Sequence, residues 1–310
     1  MARSSPGVDR VVTLLNFLSS RPGESFGVSE LARRLDLNKA TAHSMLASLT
    51  DAGYLLRHPA DKTYSLGPAV IALGSSAVRQ FLPVDYATDE MRGLADELGV
   101  QCVAGAVVGG EIVFLAKAGH PKPLGTNIAP GQRLPLAPPL GTVYMAWALP
   151  EEIDAWLAKL GPDVTAEQKG HFVEALDLVR RRGYATGLEA IAKLRLSRAL
   201  AGAQAGGDDL QRQRLRDIVE GLVDELAHEE SVLSGLTSSE FDAARSFQVS
   251  HISAPVFDAE ARVAMALNLI DLPRRLTGEQ IETHAGRLVE STRRVTKAIG
   301  GREPELKEST

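Results

Sequence analysis

Residues 26–66, FGVSELARRLDLNKATAHSMLASLTDAGYLLRHPADKTYSL, constrain this chain more than any other stretch. Val28, Leu31, Ala32 and Leu35 recur at i, i+3, i+4 and i+7, the spacing of one apolar helix face. Asp36, Leu37 and Asn38 then turn the chain. Asn38 suits the N-cap of a second helix, because its side-chain oxygen can accept from a first-turn amide that has no partner within the helix. Ala42, Met45, Leu46 and Leu49 repeat the apolar spacing, and Gly53 suits the left-handed residue that ends a helix. The remaining side of the second helix (Lys39, Ala40, Thr41, His43, Ser44, Ala47, Ser48) is short and polar, a shape that fits a DNA major groove.

A helix pair alone has two readings: a DNA-reading pair, or a hairpin of helices in an ordinary core. The flanking residues favour the first. A preceding helix over 8–20, with Val11, Leu14, Leu15 and Leu18 inward, supplies a third side to a small core. Strands at 54–57 and 63–66 enclose His58-Pro59-Ala60-Asp61-Lys62 as a wing, with Arg57, His58 and Lys62 placed to meet phosphates. Arg10 and Arg57 are expected as phosphate clamps, and Arg33 and Arg34 as either clamps or a solvated face. Residues 1–66 carry 8 Lys+Arg against 6 Asp+Glu, and the rest 26 against 33. So mildly basic a module makes few phosphate contacts, and dimerisation would be needed for useful affinity.

The 310 residues suffice for two domains with buried cores. The single cysteine, Cys102, rules out a disulfide framework and suits a reducing cytoplasm. It lies in an apolar strand, where a buried structural thiol is favoured over redox chemistry. MARSSPGVDR holds no apolar signal region, and no run approaches the roughly 18 apolar residues of a spanning helix, so neither export nor membrane insertion is expected. The seven histidines lack metal spacing, and no HExxH, GxSxG or phosphate-loop motif occurs. Neither an enzyme nor a cofactor is expected.

Beyond the wing, 67–80 reads as a linker helix and Asp85 to Leu98 as an amphipathic one. QCVAGAVVGGEIVFLAKAG reads as a hairpin turning at Gly109-Gly110. Loop or edge strand is expected over 125–136, then helices from Gly141 to Ala148, Pro150 to Leu160 and Thr165 to Gly183. Leu188, Ile191, Ala192 and Leu200 suggest another helix; Leu215, Ile218, Val219, Leu222 and Leu226 mark a further one. Strands return at 248–257 and 262–270. Thr277 and Gln280 form a capping box for the last helix, with Leu276 and Ile281 as its staple. The tail from Arg302 is charged and expected to fray. The order describes an α+β fold.

These pieces together resemble the IclR family of bacterial transcriptional regulators. SELARRL, LNKATAHSML, LTDAGYL and YSLG are similar to its winged helix-turn-helix. GQRLPL, LGTVYMAWALPEE, RRRGYA, ISAPVFDAEARV and ALNLID are similar to its GAF-like effector-binding domain. The resemblance implies a winged helix-turn-helix at 1–66, a linker helix at 67–80, an effector domain at 81–301 with a helical insertion at about 188–248, and a tail at 302–310. It implies a ligand-responsive regulator that binds double-stranded DNA as a homodimer or homotetramer, reads a pseudo-palindromic operator and does not enter a membrane. Arg10, Asn38, Lys39, Thr41, His43, Ser44, Arg57 and Lys62 would meet DNA. Leu140, Gly141, Pro255, Asn268 and Ile270 would line the effector pocket, although the same residues read equally well as core. Ala40 and Ser44 stand where the family commonly has serine and arginine, and Ala261 where it has glycine. With Asn268 as the lone polar handle, the pocket suits an aromatic or apolar metabolite. The alternative is a metabolite-binding or enzymatic α+β protein whose N-terminal domain serves assembly.

Overall fold

The computed structural model describes residues 5–19, 21, 23–80, 82–120, 128–161, 164–188, 246–273 and 275–305. The chain divides into two compact units, with residue 81 closing the first and residue 82 opening the second. The helix over 68–80 therefore groups with the winged module.

The first unit runs α1 (Pro6–Ser19), α2 (Val28–Arg34), α3 (Lys39–Asp51), β1 (Leu55–Arg57), β2 (Tyr64–Leu66) and α4 (Pro68–Gln80). Its core is built from Leu14, Leu18, Phe26, Leu31, Leu35, Leu46, Leu55 and Tyr64. Asn38 caps α3 by accepting from the Thr41 amide at 2.8 Å, and Gly53 is left-handed at φ +74. β1 and β2 pair antiparallel, and Phe26 adds a further backbone bridge to Tyr64. Arg34 is no clamp. Its side chain is 6% exposed, bonds Glu30 at 2.7 Å and lies 4.7 Å from the centre of the Phe17 ring. Arg33 is exposed.

The second unit holds α5 (Leu82–Leu98), β3 (Gln101–Val108), β4 (Glu111–Ala118), β5 (Arg133–Pro135), α6 (Thr142–Met145), α7 (Pro150–Leu157) and α8 (Ala166–Arg182). These are followed by β6 (Ala185–Leu188), β7 (Ser246–Phe247), β8 (Val249–Phe257), β9 (Val263–Ile270), β10 (Leu276–Thr277) and α9 (Gly278–Ala298). Six strands form an antiparallel sheet in the order β5-β4-β3-β9-β8-β6, and β7 pairs with β10. The Gly109-Gly110 turn has both residues at positive φ, as a two-residue hairpin of matching twist requires. α5 and α9 cover one sheet face. There Met91, Leu94, Ile281, Ala285 and Leu288 pack on Cys102, Ala104, Ile252, Ala254, Leu267 and Leu269. Cys102 is fully buried and its thiol is pushed up to about 12, so it stays protonated and inert. α6 packs on β8 and β9 and on α8. Thr277 and Gln280 make the expected capping box.

Several boundaries differ from expectation. α5 begins at Leu82, because Pro83 is tolerated in a first turn where its missing amide has no helical partner anyway. The helix expected to Ala148 stops at Met145. Leu188 ends a strand rather than starting a helix, since Ala185 to Leu188 find backbone partners along β8. The remainder of the expected insertion, 189–245, lies outside the described residues. The tail does not fray from Arg302: its amide donates to Asp258 O at 3.1 Å, and Glu303 pairs with Arg293 at 2.9 Å.

Ala261 sits at φ +59, in a turn held by Asp258, whose carboxylate accepts from the amides of Glu260 and Arg262 at 3.0 and 2.8 Å. A left-handed alanine crowds its Cβ against the backbone. Ala261→Gly is therefore expected to stabilise the protein by about 0.5–1 kcal/mol after the entropic cost of glycine. Urea unfolding monitored through tryptophan fluorescence checks this, and an unchanged or lower midpoint would mean that the turn bears no strain.

Candidate functional site

The first unit gathers its candidate residues on the outside. Ala42 and Leu46 of α3 are fully buried, while Asn38, Lys39, Ala40, Thr41, His43 and Ser44 are exposed. The inward pair anchors the helix and leaves its N-terminal half clear. Asn38 spends its carboxamide oxygen on the cap, and a hydroxyl of the next turn, Ser48 Oγ, donates to Ser44 O at 3.1 Å. Arg57 and Lys62 lie exposed on the wing, and Arg10 lies exposed on α1. The Arg57 guanidinium is 6.0 Å from the Tyr64 ring centre. Lys62, at φ +60, folds its ammonium back to Pro59 O at 2.9 Å, an exposed bond that a phosphate could replace.

Asp61 was not among the expected residues. Its carboxylate accepts from the Thr63 hydroxyl at 2.7 Å and the Thr63 amide at 3.1 Å, which holds its pKa below the usual range. The wing is thus shaped by an anion that offsets part of its positive charge. An Asp two residues before a Thr in a polar turn is the sequence signal for such a loop.

In the second unit, strand register brings three candidates to the sheet face opposite α5 and α9. Asn268 pairs with Val103 and Ser253, Ala266 with Gly105 and Pro255, and Ile270 with Gln101 and His251. Leu140 and Gly141 lead into α6. Leu140 O accepts from Trp156 Nε1 at 2.9 Å, and Gly141 O accepts from the amides of Tyr144 and Met145. Pro255 and Ile270 are buried, while Leu140, Gly141 and Asn268 are half-buried.

Asn268 is not the lone polar group on this face, nor an unspent one. Its Oδ1 accepts from Ser253 Oγ at 2.6 Å, and its Nδ2 donates to Val103 O at 3.0 Å and Ala266 O at 3.3 Å. His251 stands beside Ser250, with Nδ1 and Oγ 3.0 Å apart, and burial lowers its pKa to about 4. It is neutral at physiological pH. Gln101 is fully buried and donates to the Asp271 carboxylate. Sequence alternation could have exposed Ser253, two residues from Pro255 on the same face.

Tyr144 of α6 was also missed. Its ring is buried, and its hydroxyl has no hydrogen-bond partner among the described residues. A Cβ added to Gly105 would lie 3.0 Å from that oxygen, so the hydroxyl sits over β3 one row from Asn268. Burial raises its pKa, leaving a neutral O–H with unused capacity to donate and accept.

The first unit is a winged helix-turn-helix with its second helix open to solvent, and the whole defines a helix-turn-helix regulator carrying an α+β companion domain. A family model described as the IclR helix-turn-helix domain matches residues 7–59. The chain is 31% identical over 195 residues to the glycerol operon regulatory protein of Streptomyces griseus, covering 61% of this chain and 75% of that protein. It is 27% identical over 192 residues to the HTH-type transcriptional regulator BhcR of Paracoccus denitrificans, covering 59% and 68%. The fold matches the crystal structure of an IclR transcriptional regulator from Alicyclobacillus acidocaldarius (TM-score 0.67, 20% identity, 96% of this chain and 100% of that one). It also matches an IclR homologue from Microbacterium hydrocarbonoxydans complexed with 4-hydroxybenzoate (TM-score 0.60, 18% identity, 94% and 98%). The chain belongs to the IclR family of transcriptional regulators.

No helix among the described residues is long and apolar enough to cross a membrane. No group of three or more His, Cys, Asp or Glu among them could hold a metal ion.

Proposed function

We propose that this protein reads a pseudo-palindromic operator as a homodimer or a dimer of dimers, and that a small metabolite bound in the second unit modulates the binding. The carrying observation is the division of α3: Ala42 and Leu46 are buried, while the run from Lys39 to Ser44 is otherwise open. Inserted in a major groove, Lys39, Thr41, His43 and Ser44 reach base edges, with Asn38 at the mouth of the helix. Arg57, Lys62 and Arg10 take phosphates, which fixes register without reading sequence. Exposed Ile71 and Leu73 on α4 and Val8 and Val12 on α1 offer apolar area for a second copy. The decisive test is a mobility shift on DNA flanking the protein's own gene, repeated with a metabolite panel. Specific, salt-dependent retardation that a metabolite alters supports the reading. Equal affinity for random duplexes, or none for any duplex, overturns it.

The effector is proposed to bind on the sheet face under α6, by Leu140, Gly141, Pro255, Asn268 and Ile270, with Tyr144 as an added polar contact. Asn268 is already satisfied, so the Tyr144 hydroxyl is the group best placed to select a hydroxyl- or carbonyl-bearing ring. The 4-hydroxybenzoate complex of the Microbacterium homologue is consistent with such a ligand. A buried hydroxyl without a partner costs about 1–3 kcal/mol. Tyr144→Phe should therefore raise the unliganded protein's stability by about 1 kcal/mol and weaken effector binding about tenfold. Thermal melts with and without effector read both signs at once; a destabilised variant with unchanged effector affinity would remove Tyr144 from the site.

A further inference from the structure

We propose that a cleft between the end of α8 and the second half of α9, adjoining the proposed effector face at Pro255, is a second small-molecule site that takes a single-ring carboxylate. The cavity is about 100 Å³, room for one ring and not for an extended ligand. It opens beside the start of β6: Ala185, the first residue of β6, pairs with Ser253, leaving Pro255 and Phe257 beyond the paired stretch. Trp147 and Phe257 form an apolar wall, with ring centres 5.2 Å apart and planes at 79°. Thr292 and Thr296 of α9 also line it and are buried.

The charge on this lining is lopsided. Arg180, Arg181, Arg182 and Arg293 are set against Glu303. Arg180 is committed elsewhere, donating to Ala146 O and pairing with Asp177. Arg181 is exposed. Arg293 already holds a carboxylate, that of Glu303, at 2.9 Å. The molecule thus displays the chemistry proposed, an arginine of the cleft gripping a carboxylate supplied by its own tail segment.

Cations in the last turn of α8 also offset the negative end of that helix. That role explains neither Arg293, which comes from another helix, nor a cavity with an aromatic wall between the two. Arginine binds carboxylates by short charge-assisted bonds, and the indole and phenyl rings beside it favour a flat apolar body. A neutral ring lacks the first interaction, and inorganic phosphate lacks the second.

The test uses the full chain at low ionic strength with benzoate, neutral benzamide and inorganic phosphate, read by calorimetry and tryptophan fluorescence. Benzoate is expected to bind more tightly than phosphate, with no measurable benzamide binding. Arg181→Gln and Arg293→Gln should each raise the benzoate Kd about tenfold, the loss of one charge-assisted bond. Glu303→Gln should lower it several-fold by freeing Arg293, and Trp147→Phe should abolish the fluorescence change. Absent benzoate binding, equal binding of benzamide or phosphate, or a Kd indifferent to both arginine substitutions overturns the proposal. Benzoate binding lost in Tyr144→Phe but kept in the arginine variants would place the ligand under α6, overturning the cleft and leaving the effector reading intact.

Discussion

Replacing Lys39 and His43 together with alanine is expected to weaken operator binding about a hundredfold while leaving effector affinity unchanged. Both side chains project from the open side of α3 and make no contact on which its packing depends. Alanine is a better helix former than histidine and at least equal to lysine, so α3 should persist. Each lost contact to a base edge or phosphate is worth about 1–3 kcal/mol, so two give roughly a hundredfold or more. The slope of log affinity against log salt should change little, since the phosphate contacts proposed for Arg10, Arg57 and Lys62 remain. Mobility-shift titrations at two salt concentrations, with circular dichroism to verify folding, decide the matter. A folded double variant with wild-type operator affinity would retire α3 as the reading helix.

Gly67→Ala is expected to destabilise the winged unit by about 3 kcal/mol and to abolish DNA binding with it. A Cβ there would lie 2.3 Å from Gly53 O and 3.0 Å from the carbonyl carbons of Gly53 and Leu55, all backbone atoms. The neighbours cannot retreat cheaply. Gly67 N donates to Tyr54 O at 2.7 Å, and Ala69 N to Gly53 O at 3.1 Å, so moving apart breaks the bonds that join α3, the wing and α4. Gly74 is the internal control. It is exposed in α4 with open space around it, and Gly74→Ala should stabilise that helix by about 0.5–1 kcal/mol. Hydrogen exchange at amides of α3 and the wing separates the two outcomes. Equal protection in wild type and Gly67→Ala would mean that the crossing is looser than its geometry states.

The winged module was legible because its signals are local. The alternation of Leu31, Ala32 and Leu35, the Asn38 cap and the break at Gly53 all act within a turn or two of helix. Arg34 shows the limit: it differs from Arg33 by one position, yet only the packing of Phe17 from a different helix shows that Arg34 is held inward. Leu188 was misread because an apolar residue near other apolar residues is compatible with either period. The strand partner that decides the matter lies beyond residue 245.

The proposed effector face was less legible for the same reason, carried further. Period-two alternation places Pro255, Asn268 and Ile270 toward a common side. It does not say that Asn268 spends its amide on Val103, 165 residues earlier in the chain, and its carbonyl on Ser253. Nor does it say that Tyr144 buries a hydroxyl over Gly105.

By itself, then, the sequence determined the helix pair, its cap, its wing and the order of helices and strands, because each follows from hydrogen bonds and apolar spacing between near neighbours. Only the tertiary structure decided which polar groups remain unsatisfied and which cations line a cavity. Those properties belong to residues far apart in the chain, and long-range strand register and helix packing alone bring them within bonding distance.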